Sequence, residues 1–76
     1  MKLTLAQMKA RCKDYFFSKE TLRFFRESKH RALYHEETDT NYIRVVSKYR
    51  TAWYRYDEKT NITHKVPNTE VPKPLI

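Results

Sequence analysis

Between Tyr42 and Lys65 the chain runs YIRVVSK, YRTAWYRYDEKTN and ITHK, with aromatic and basic side chains alternating across what reads as two or three β-strands. A strand sends successive side chains to opposite faces. Trp53 and Arg55 therefore share one face of one strand, and Tyr54 and Tyr56 share the other. A face of this kind suits a nucleic-acid or nucleoprotein binder. The same aromatics equally suit the core of a very small domain. One face must cover other elements, and we expect Trp53 to point inward with Arg55 at the rim, leaving Tyr54 and Tyr56 outward.

Size favours burial of many aromatics. A chain of 76 residues forms one domain and buries only about 60% of the surface its unfolded form exposes. Five Leu, three Ile and four Val are a thin aliphatic supply, so six Tyr, four Phe and one Trp must provide much of the core. Each aromatic brings roughly 150–250 Å² of burial.

Lys and Arg number 16 against 9 Asp and Glu, a net charge of +7. A surface of this sign attracts polyanions at long range and loses that attraction in salt. Counted along the chain, residues 1–36 carry a net +5 and residues 37–76 a net +2, so the excess lies toward the N-terminal half.

The first half reads as helical. Thr4 can cap a helix from Leu5, on which Leu5, Met8, Cys12 and Phe16 form an apolar stripe. Ser18 can cap a second helix through KETLRFFRESK, on which Arg23, Arg26 and Lys29 make a basic ridge. Lys9, Arg11 and Lys13 are close to it in sequence. This ridge is the first candidate for phosphate contact or for docking on an acidic protein surface. Arg44, Lys48, Arg50, Arg55 and Lys65 extend the cationic surface onto the strands.

From about Arg31 the period shortens. RALYHE, YIRVVSK, TAWYRYD and ITHKV are strand material. EETDTN and DEKTN read as turns, with Asp57 able to bond its own backbone and Asn61 able to take the left-handed conformation. After Val66 the segment PNTEVPKPLI holds three prolines and reads as a tail. The fold class expected is α+β: two N-terminal helices packed on one face of a three- or four-stranded antiparallel β-meander. Residues 1–66 would form the domain and 67–76 an extended or flexible tail. Arg31–Glu36 would be one edge, open to pairing with a second copy, so a monomer or a homodimer is expected.

Several chemistries fit poorly. The chain has no glycine, which excludes glycine-dependent phosphate loops. His30, His35, His64 and Cys12 lack the paired spacing of a zinc site. Cys12 lies on an apolar stripe, where a thiol behaves as a small hydrophobe, and the carboxylate pairs Glu36/Glu37 and Asp57/Glu58 fall in turns. We expect no enzyme activity, cofactor or metal. One cysteine excludes an internal disulfide, and no apolar run reaches the ~20 residues of a membrane span. The first ten residues lack the apolar stretch of a signal peptide. The expectation is a cytoplasmic protein with no membrane partner.

YFF at 15–17, KETLRFF at 19–25, YIRVVSK at 42–48 and AWYRYDEKTNITHKV at 52–66 resemble the pattern of a group of small phage- and prophage-encoded accessory proteins. The likeness spans about residues 15–66, and this chain departs from it in lacking glycine after the second FF and in the last turn. The resemblance implies a protein that acts by binding, whether it occludes a host enzyme, blocks an immune nuclease such as a CRISPR effector, or touches nucleic acid. It carries over no site residues.

The functional expectation is a small basic non-enzymatic protein engaging host nucleic acid or a nucleoprotein complex. Its site would draw on Arg23, Arg26, Lys29, Lys9, Lys13, Arg44, Arg50, Trp53, Arg55, Tyr54 and Tyr56. The alternative is a protein–protein inhibitor or assembly factor anchored on a host protein by an exposed aromatic patch.

Overall fold

The computed structural model describes residues 1–12, 28–48 and 50–75. Four strands, β1 (Lys29–His35), β2 (Thr40–Val46), β3 (Thr51–Asp57) and β4 (Ile62–Val66), follow one helix, α1 (Leu5–Ala10). Each strand pairs antiparallel with the next, giving a four-stranded meander in the order β1-β2-β3-β4. The register sets Arg31 opposite Arg44, Arg44 opposite Trp53, and Trp53 opposite Val66.

The turns follow from their side chains. Lys59 N donates to Asp57 Oδ1 at 2.9 Å, and Asn61 closes the β3–β4 turn at φ 57°. A 3₁₀ turn at Glu36–Thr38 joins β1 to β2 and ends on Asp39 at φ 49°. Both positions sit in the left-handed region, which Asn and Asp tolerate better than most residues. Between β2 and β3, Ser47 and Arg50 close the chain through Ser47 N to Arg50 O at 2.9 Å and Arg50 N to Ser47 Oγ at 3.1 Å.

Each face of the sheet has its own cover. On the first face Ile43, Val45, Ala52 and Tyr54 pack against Leu3 and Met8, with Leu5, Ala32 and Tyr56 at the margin. Burial contributes about 1.5–3 kcal/mol for each large aliphatic side chain such as Met8 or Ile43. On the second face Tyr42, Trp53 and Val66 pack against Val71, with Leu33 and Leu75 beside them. Tyr42 and Trp53 meet edge to face, their centroids 6.3 Å apart.

The N-terminal cover is stitched down. Buried Asn41 accepts from Leu3 N at 2.8 Å and donates to Met1 O at 2.8 Å. The Met1 amino group and the Tyr34 hydroxyl both bond the Asp39 carboxylate. At the far end of α1, Thr63 N of β4 donates to Arg11 O at 3.1 Å. Arg11 Nε reaches Asn61 Oδ1 at 2.9 Å, and its guanidinium lies over the Tyr56 ring at 5.9 Å.

Two N-terminal helices packed on the meander are not what forms. Among the described residues the sheet dominates and the sole α-helix is six residues long. Thr4 caps it as its hydroxyl predicts, in a reciprocal box with Gln7. Its C-cap is Arg11, whose carbonyl, one of those left without an intrahelical partner at a helix end, accepts from Thr63 N of the edge strand. Cys12 is buried just beyond the helix end. The span expected as a second helix lies outside the described residues except at its end, where Lys29 opens a strand. The C-terminal segment also differs from an extended tail. It forms 3₁₀ turns at Asn68–Glu70 and Lys73–Leu75 and buries Val71.

Candidate nucleic-acid interface

On the second face, the row Arg31–Arg44–Trp53–Val66 crosses the sheet, and the next row is Leu33–Tyr42–Arg55–His64. Lys29 lies two residues before Arg31 on the same face, opposite Val46, which is 39% exposed. Lys29 and Arg31 are exposed and Arg44 is half-buried. None of the three has an ion pair among the described residues. Lys48 and Arg50 are exposed in the β2–β3 connection, at the same end of the sheet.

Residues directly opposite in an antiparallel pair have Cβ atoms about 4.5–5.5 Å apart, and like charges there repel. Two unit charges at 4 Å interact by about 1 kcal/mol in water and about 4 kcal/mol at an effective dielectric of 20. Arg31 and Arg44 thus hold a local positive field that an anion would relieve.

The opposite end of the meander has the opposite sign. The β1–β2 connection carries Glu36, Glu37 and Asp39, and the β3–β4 end carries Asp57 and Glu58. Among the described residues only Glu70 is an acid lying elsewhere, and it pairs with Arg55 at 3.7 Å. An open groove of about 400 Å³ lies at the acidic end, lined by residues that include Asp39, Asn41, Arg55, Asp57, Glu58 and Lys59. There the Met1 amino group, and then the Tyr34 hydroxyl, hold the Asp39 carboxyl below its ordinary value. Tyr34 is in turn pushed up to about 12, first by its bond to Asp39. A carboxylate kept ionised in this way is a tether and a poor general acid.

The residues singled out from the sequence scatter. Lys29, Arg44 and Arg50 come together at the basic end. Arg55 is on the same face, one row from Arg44 and paired to Glu70. Trp53 is 3% exposed beneath the C-terminal segment, and Tyr54 is as deeply buried on the other face. Tyr56 is half-buried there, donating to Asn61 Oδ1 at 2.7 Å. Neither aromatic pair of β3 faces outward, because both faces of the strand are covered. Lys9, on the N-terminal cover, is half-buried, and burial lowers its ammonium pKa. Lys13, Arg23 and Arg26 lie outside the described residues.

Arg31, Tyr42 and His64 belong to this face and were not among the expected site residues. The signal for Arg31 was its period-two relation to Lys29. Cys12 is a buried free thiol, raised to about 12, chiefly by its burial, and so is a poor nucleophile. Among the described residues no group of three His, Cys, Asp or Glu could hold a metal ion, and no helix is long and apolar enough to cross a membrane. Comparisons with family models, with curated proteins and with solved structures find no match.

Proposed function

We propose that this chain is a small non-enzymatic binding protein whose basic sheet end engages a polyanion, either a nucleic acid or a nucleoprotein complex. The observation that carries this reading is the cluster Lys29, Arg31 and Arg44, joined by Lys48 and Arg50, with the acids of the meander gathered at the other end. Two arginines opposed in register, with no carboxylate partner among the described residues, leave room for phosphate oxygens, which Arg binds in a bidentate fashion. The resemblance to phage accessory proteins supports a host nucleic-acid-processing or defence complex as the setting.

Burial of Trp53 and Tyr54 leaves the alternative, a protein inhibitor anchored by exposed aromatics, without its anchor on β3. The expected result is binding of mixed-sequence oligonucleotides that weakens steeply with salt. For single strands log Kobs falls with log salt at about −0.7 per phosphate neutralised. Replacing Lys29 and Arg31 by Gln should then flatten that slope by about 1.4. Absence of binding even at low salt, or a slope unchanged in the double variant, sinks the reading.

A further inference from the structure

The second face of the sheet carries two buried polar atoms that its cover does not satisfy. Arg44 Nε and His64 Nε2 have no hydrogen-bond partner among the described residues. Native interiors satisfy nearly all such groups, and Thr63 Oγ1 on the other face shares the shortfall, so what sets these two apart is the aromatic and cationic company they keep. Arg44 stands directly opposite Trp53, and His64 stands opposite Arg55, which is itself opposite Tyr42. Aromatic rings and cationic groups therefore alternate across the surface that Val71 and Leu75 cover.

That cover is lightly held. Among the described residues its backbone hydrogen bonds are internal: Glu70 N to Pro67 O, Val71 N to Asn68 O and Leu75 N to Pro72 O, at 3.0–3.1 Å. Beyond apolar contact, its tie to the described residues of the sheet is the Arg55–Glu70 pair at 3.7 Å, with both side chains well exposed at 36% and 47%. Segments with few buried contacts and no long-range hydrogen bonds open at the low end of a protein's stability range. Exposed ion pairs add little.

We infer that residues 67–75 form a displaceable strap over a platform for single-stranded nucleic acid, an inference that rests on the polyanion reading above. With the strap aside, bases stack on Trp53 and Tyr42. Phosphates meet Arg44 and Arg55 and continue toward Arg31 and Lys29. Glu70 occupies on Arg55 the place a phosphate would take, so the ligand competes directly with the strap's one ion pair. Stacking on aromatic rings with Arg alongside is how single strands are bound without sequence preference. A duplex keeps its bases stacked inside and is confined to the exposed cations.

Trp53 is the chain's one tryptophan, so its emission reports the platform alone. Full-length protein is titrated with oligothymidylate, with a duplex of equal length and with inorganic polyphosphate. Oligothymidylate should quench Trp53, whereas polyphosphate should bind without quenching. Val71→Ser, which loosens the strap, should tighten oligothymidylate binding by about fivefold to tenfold, since it raises the fraction of open molecules. Glu70→Gln, an exposed change that leaves the core intact, should act in the same direction but less, and it serves if Val71→Ser does not fold. Oligothymidylate that binds with unchanged Trp53 emission, and with equal affinity in both strap variants, overturns the strap and leaves the basic end as the site. Failure of all three probes to bind overturns the polyanion reading together with the strap.

Discussion

The two faces of one four-stranded sheet are closed by the two ends of the chain, and they are closed by different means. The N-terminal segment brings Leu3 and Met8 into the core and fastens them with Asn41, Asp39, Thr63 and Asn61. The C-terminal segment brings Val71 and Leu75, and among the described residues its links to the sheet are apolar contact and one exposed ion pair. Equal-looking burial thus conceals unequal attachment. Trp53 and Tyr54 are both 3% exposed, yet among the described residues it is the cover over Tyr54 that is held by hydrogen bonds made across the chain.

The comparison breaks hardest at the two apolar plugs. Met8→Ala should cost about 2–5 kcal/mol of unfolding free energy, the range for a fully buried large side chain. Val71→Ala removes about two methylene equivalents and should cost about 1.5 kcal/mol. Urea denaturation of both variants checks the ordering, and a larger loss at Val71 would reverse it.

Next in size is Asn41→Ala, which strands Leu3 N in a buried setting at about 1–3 kcal/mol and also drops the part-buried bond to Met1 O. Amide exchange sharpens the point. The Leu3 amide should lose protection in this variant, while the amides of Val71 and Leu75, already weakly protected, should not change.

The smallest effect is electrostatic. The Asp39 carboxyl is depressed by the Met1 amino group and then by the Tyr34 hydroxyl. A group whose folded pKa lies below its unfolded one stabilises above the unfolded value and stops doing so as pH falls through the folded value. The N-terminal cover should therefore loosen in acid, below about pH 4. Asp39→Asn should remove that dependence when exchange at Leu3 is followed against pH.

Much of the sheet was legible in the sequence because period-two alternation and turn chemistry are local. Thr4, Asp57 and Asn61 each act within a few residues, and each does what its side chain predicts. The helix length was not legible, since the stripe Leu5, Met8, Cys12, Phe16 continues past Arg11 in sequence. At the end of α1 the Arg11 carbonyl is taken by Thr63, more than fifty residues away, a partner that nothing near Arg11 announces. The burial of both faces of β3 was hidden for a related reason. Val71 sits between Pro67 and Pro72 in a segment whose composition reads as tail, and nothing local marks it as a plug. Counting along the chain does not reveal how the described charges are arranged in space. Among the described residues the meander sets Lys29 and Arg31 at the same end as Arg44, Lys48 and Arg50, and Glu36, Glu37 and Asp39 at the same end as Asp57 and Glu58, so there the sign separates by sheet end.

The two left-handed residues carry a second burden that bears on what this sequence can become. Asp39 and Asn61 hold backbone conformations for which glycine is the usual occupant. Each also offers the oxygen that anchors the N-terminal segment, Asp39 to Met1 and Tyr34, and Asn61 to Arg11 and Tyr56. A glycine would relax either turn and in the same step remove one of the side-chain ties that hold the N-terminal segment to the sheet. A chain with no glycine at all is consistent with this double duty: at these corners, the replacement easiest for the backbone is the one that gives up a tie to the N-terminal segment.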